Sequence, residues 1–223
     1  MNNHDATPAA VPSWVKVTHT TFVGVLVPVY WRQYGPGNFL WFSDVALLTS
    51  VPALWLESSL LASTQAVAVL VPETVWLVDF ASGVLTRRTP IGLASYMFDR
   101  RLSRFVRALS LFHLWLTPLL VFVVSRVGYD RRALKYQTGA TVAILLASWR
   151  LTKPEDNVNW VYSRREIRTS VARAAFVGCL MIAIPLLFHL PAHRLLRRLF
   201  PPPVHASETV SQHRAPRRPR LRA

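Results

Sequence analysis

The chain has 223 residues, 52% of them apolar, with a formal net charge of +15 and an isoelectric point of about 11.4. The apolar residues fall in long blocks separated by arginine-rich stretches, which excludes an ordinary soluble domain and leaves room for one compact membrane domain. Because the basic residues lie between apolar blocks, where membrane topology puts them, no nucleic-acid partner is expected; the expected partners are membrane lipids, with anionic head groups at the basic loops.

Residues 1–38 read as a polar tail followed by an interfacial or re-entrant segment. The first twelve residues, MNNHDATPAAVP, lack a basic start and an apolar stretch, so no cleavable signal peptide is expected. The apolar run Thr21–Trp31 is interrupted by Pro28 and is short for a span, which needs about 20 residues. Tyr30, Trp31 and Arg32 suit the membrane interface, and YGPGN at 34–38 is a turn signal.

From 39 to 200 the pattern predicts an all-α, polytopic transmembrane helix bundle. Its five spans are 39–56, 60–80, 105–124, 133–152 and 171–190, with a sixth if 14–34 also crosses. Pro52, Pro72 and Pro118 fall inside three of them. Basic connections occupy 81–104 and 125–136, and a polar loop occupies 153–170. Residues 201–223, rich in Pro and Arg, read as a disordered basic tail. The single cysteine, Cys179, excludes an internal disulfide and a thiol-based zinc site, and no metal or cofactor is expected.

Ionisable residues interrupt these apolar blocks. An ionised side chain at the bilayer centre costs roughly 2.5–3.5 kcal/mol, so such groups face a protein interior or a water-filled cavity. Let the near face be the one where the first of the five spans begins. A helical rise of 1.5 Å per residue then puts Asp44 about 7 Å, Glu73 about 10 Å and His113 about 12 Å below that face. Asp79 falls near its rim, and Arg150 ends the fourth span there. The loop bearing Asp156, Asn157, Asn159 and Trp160 covers the same mouth. The spacing therefore gathers these groups into one leaflet, as a binding or active site, as a solute or proton path, or as helix-tying ion pairs such as Arg150 with Glu73 or Asp79. His189 and His193 are four residues apart with Pro191 between them, at the far end of the fifth span. They read as interfacial histidines rather than metal ligands. The Asn157 and Asn159 amides suit carbonyl bonding and loop folding as well as substrate contact.

Four stretches follow one another in an order that resembles the YwaF-like polytopic membrane proteins, a group with eukaryotic acyltransferase members. They are Leu70-Val71-Pro72-Glu73, His113 followed by Pro118, Gly128-Tyr129, and Asn157-Val158-Asn159-Trp160. The segment Asn38–Asp44 is also similar to bacterial proteins described only as membrane-associated. The resemblance covers about residues 38–190 and implies an integral protein of a bacterial inner (cytoplasmic) membrane, with an enzyme acting on lipid acyl groups as one outcome. The acyltransferase members are thought to use a cysteine and a histidine. The histidine matches His113, whereas the cysteine position reads Ser43-Asp44 here. Ser43 with His113 as base would attack a lipid ester, and Asp44 with His113 would act as an acid/base pair on water. The alternative is a non-enzymatic membrane protein whose charges are structural or line a pathway.

Overall fold

The computed structural model describes residues 11–162, 169–200 and 202. The expected disordered ends, apart from residues 11–13 and 202, lie outside the described residues, as does the basic stretch 163–168 of the polar loop. Among the described residues the chain is all α-helical, with short 3-10 turns between the helices. Six long helices follow one another: α1 Ser13–Tyr34, α2 Phe42–Trp55, α3 Ser59–Thr86, α4 Arg104–Val127, α5 Ala133–Leu151 and α6 Ser170–Leu199. Three of them, α3, α4 and α6, are long and apolar enough to cross a membrane. α2 is apolar but only 14 residues long.

α3 is the central helix because its composition lets every side be covered. Ala62 to Val69, a run of small and mid-sized side chains, is buried at all eight positions, so α2, α4, α5 and α6 all pack against it. The Ser58 hydroxyl starts this helix by accepting from the Leu61 N–H at 3.3 Å, and Arg87, in the left-handed region at φ 59°, stops it. The apolar core runs alongside through Leu26, Leu47, Leu54, Leu116, Leu120 and Leu196. α6 is the outermost helix: 11% of its most apolar window is buried, against 39% for α3 and α4.

Two irregularities shape the near half. α4 tightens around Ser110 and Leu111, where the Leu111 N–H bonds the Ala108 carbonyl and the Leu114 N–H bonds that of Leu111, both three residues back. Ser110 Oγ there meets the Tyr30 hydroxyl of α1 at 2.6 Å. In α6 a π-turn covers Pro185–His189; Pro185 has no N–H to return to the preceding turn, and the helix widens to pass it.

Residues 14–34, expected either at the interface or as a sixth span, belong to one continuous helix, the 22-residue α1, laid antiparallel to α2. Its first turns are fastened to the α2–α3 connection, Lys16 Nζ lying 2.7 Å from Glu57 Oε1 and the Val11 N–H 3.1 Å from the same oxygen. His19 Nε2 meets Ser50 Oγ at 2.7 Å, and Trp55 Nε1 donates to Thr20 Oγ1 at 2.9 Å. The up-and-down succession leaves the connections 35–41 and 87–103 and the described residues 152–162 on the near face, and 56–58 and 128–132 on the far one.

Candidate functional site

A cavity of about 800 Å³ opens in the near half. Seven of the residues singled out from the sequence line it: Ser43 and Asp44 from α2, Glu73 from α3, His113 from α4, and Asp156, Asn159 and Trp160 from the loop after α5. Asp79, Arg150 and Asn157 do not.

The centre of this wall is a carboxylate–imidazole pair. His113 Nδ1 lies 2.7 Å from Glu73 Oε2, with both side chains largely buried. The irregular turn before it lets His113 face α3, where the Trp76 ring stacks on the imidazole at 4.5 Å and 21°. A carboxylate on one ring nitrogen fixes the tautomer and orientation, and leaves the other nitrogen for proton transfer. Nε2 has no hydrogen-bond partner among the described residues and is not sealed from the cavity. The partner expected for His113 was Ser43 or Asp44. Both line the same space, but no hydrogen bond joins either to the imidazole. Asp44, only 4% exposed, sits in the first turn of α2, where the helix N-terminus favours a carboxylate. Its Oδ1 receives one long bond, from Asn38 Nδ2 at 3.4 Å.

The remaining residues have other work. Asp79 is fully buried and accepts from the Ile91 N–H on one oxygen and the Ala94 N–H on the other, each at 2.9 Å. It holds the 87–103 connector, whose Ile91, Leu93 and Tyr96 then form part of the cavity wall. Gly83 allows that connector to close, since a Cβ there would meet the Phe98 ring at 2.3 Å. Arg150 is exposed, with its guanidinium over the Trp149 ring at 5.5 Å. The expected ion pairs of Arg150 with Glu73 or Asp79 are therefore not made; Glu73 is held by His113 and Asp79 by backbone amides.

Asn157 adopts φ 40° and accepts from the Tyr162 N–H at 2.9 Å. Asn159 donates to the Leu40 carbonyl at 2.7 Å and Ser148 Oγ at 3.0 Å, and accepts from the Phe42 N–H at 3.3 Å. It fastens the loop and the start of α2 into one rim. Trp160 stands on that rim, 46% exposed, edge-to-face with Trp41 at 5.4 Å. His189 and His193 are buried, not interfacial, and His193 Nδ1 meets the Tyr129 hydroxyl at 2.6 Å on the far side of the molecule.

Sequence reasoning missed the aromatic lining. Tyr30, Tyr34, Trp41, Trp76 and Tyr96 all face the cavity, and burial pushes the Tyr96 phenol up, so that it stays a donor. The readable signal was the spacing of Glu73, Trp76 and Phe80, at i, i+3 and i+7 on one stripe of α3. Tyr and Trp near span ends instead read as interfacial anchors.

No family model, no curated protein and no solved structure matches the chain.

Proposed function

We propose that the chain is a membrane-embedded enzyme that acts on the acyl groups of a lipid drawn into the near-face cavity, with His113 as general base and Glu73 as its orienting carboxylate. The observation that carries this is the open space beside the dyad. A purely structural ion pair is closed over on all sides, whereas here a cavity of about 800 Å³ meets an imidazole whose second nitrogen has no partner among the described residues. His113 Nε2 would take the proton of the hydroxyl attacking the ester carbonyl, Glu73 would stabilise the resulting imidazolium, the imidazolium would return the proton to the lipid alkoxide released as the ester C–O bond breaks, and the Tyr96 hydroxyl supplies a neutral donor in the same wall. Since His113 makes no hydrogen bond to Ser43, a water or a second lipid's hydroxyl is the simpler nucleophile, and Ser43 and Asp44 serve as binding groups.

In this reading all six helices cross, α1 making the sixth span beside the five expected from the sequence. The protein resides in a bacterial inner membrane, and its basic connections face anionic head groups. The resemblance to the YwaF-like proteins supports the same chemistry. A non-enzymatic role is the second reading, favoured by the structural use of Asp79 and Asn159.

Purified protein in lipid vesicles, followed by mass spectrometry of the lipids, separates the two. Turnover should fall by about 10²–10⁴-fold in His113→Ala and in Glu73→Gln. Turnover kept by the His113→Ala protein removes the catalytic role, and wild-type protein with no turnover, combined with a lowered melting temperature in His113→Ala, favours the structural reading.

A further inference from the structure

We infer that the cavity selects a cation: its ligand is an amphiphile whose head is an amine or quaternary ammonium. This rests on reading the cavity as a ligand site, and not on any chemistry at His113.

The first argument is the exclusion of positive charge. The chain has 26 Lys and Arg residues, yet among the described residues none lines the cavity, while three carboxylates do, Asp44, Glu73 and Asp156. Glu73 is engaged by His113. Asp44 is not engaged in that way. It is 4% exposed, its Oδ1 has only the 3.4 Å contact with Asn38, and its Oδ2 accepts no hydrogen bond among the described residues, yet is not sealed off from the cavity. A carboxylate withdrawn from water without a counter-charge is disfavoured, and no Lys or Arg among the described lining residues supplies one. A bound ammonium would.

The second argument is the shape and chemistry of the mouth. Trp41 and Trp160 meet edge-to-face with an interplanar angle of 75°, giving two ring faces nearly at right angles; Trp41 immediately precedes α2, Asp44 lies in the first turn of that helix, and all three residues line the cavity. Aromatic faces and a carboxylate lining one cavity suit an ammonium group, methylated ones included, because the ring quadrupole attracts the cation without strong hydrogen bonds. A phosphate or a fatty carboxylate would meet Asp44 and Asp156, with no Lys or Arg among the described lining residues to receive it. Val69, Ile184 and Phe188 form an apolar wall reaching α6, the most exposed helix, and suit an alkyl chain. The overall +15 charge repels cations at long range, so cation binding needs a local site such as this one.

The test is direct binding to the full chain in a neutral detergent, read by tryptophan fluorescence, with probes of one chain length: decyltrimethylammonium, decylphosphocholine and decanol. Decyltrimethylammonium should bind at least about tenfold more tightly than decanol, and Asp44→Asn should abolish that margin. Binding of decylphosphocholine at the cationic level identifies a lipid headgroup as the source of the ammonium; weak binding of it identifies a free cationic amphiphile. Equal affinity of the wild-type protein for decyltrimethylammonium and decanol overturns the proposal without recourse to any variant, as does a margin unchanged in folded Asp44→Asn protein. Cation preference with no lipid turnover would leave this site standing and the enzymatic reading fallen; turnover without cation preference would do the reverse.

Discussion

Asn159 commits all of its amide to the chain itself, with one acceptor and two donor bonds at a position only 1% exposed. Replacing it leaves the Leu40 carbonyl and the Phe42 N–H without their partner in a rim that excludes water. Asn159→Ala should therefore lower stability by about 1–3 kcal/mol, read by thermal unfolding in detergent. Asn159→Asp should be at least as damaging, because a carboxylate facing the Leu40 carbonyl replaces a donor with an acceptor. An unchanged melting temperature in both variants would show that the loop does not depend on this amide. The same residue shows how far sequence alone reaches. Charges inside apolar blocks revealed Asp44, Glu73 and His113, and helical rise gave their common depth, because both depend only on counting along an axis. Direction around the axis is readable from the same count. Six residues turn an α-helix through about 600°, so Asp79 points roughly 120° away from Glu73, while Trp76 and Phe80 stay near its side. The choice of Glu73 over Asp44 as partner of His113 was not readable, since it follows from the tightening of α4 at Ser110, which no local residue pattern announces.

At the scale of elements, the union of α1 with α2 depends on few polar contacts, and one of them titrates. Glu57, at φ 47° in the connection between α2 and α3, accepts from both Lys16 and the Val11 N–H. The Lys16 ammonium beside it, aided by the Val11 amide, holds its carboxyl below the usual value. A group whose folded-state pKa is lowered contributes stability above its unfolded value, near 4.5, and loses that contribution as pH falls through the lower folded value. The pair is partly exposed, so the contribution is about 0.5–1 kcal/mol after screening. Glu57→Gln should thus unfold at a lower temperature than wild type at pH 6, and the difference should shrink as the pH is taken below 4. A difference that is constant with pH would mean that the carboxylate charge is irrelevant. Pro28 and the Tyr30-Trp31-Arg32 cluster made α1 look short and interfacial, because local hydropathy cannot register contacts such as His19 with Ser50 that cover a helix from the side.

At the scale of the molecule, the number of crossings decides which face each end occupies. With five spans beginning at α2, the start of α1 and the end of α6 would lie on opposite faces. Val11 and Lys16, however, are bonded to Glu57 in the α2–α3 connection, on the face opposite the cavity, so an α1 that crosses brings Ser13 to the same face as the α4–α5 connection and the end of α6. α1 has 22 residues, about 33 Å of rise and enough for a hydrocarbon core of about 30 Å. In a Cys179→Ser background, single replacements at exposed positions read this directly. Ser13→Cys and Arg131→Cys should react with a membrane-impermeant maleimide from one side of the vesicle, and Thr86→Cys and Lys153→Cys from the other. Labelling of Ser13→Cys together with Thr86→Cys would return α1 to the interface. It would also leave the first turn of α1 too far from Glu57 for the acid-sensitive contact, so the topological and the pH experiments must agree.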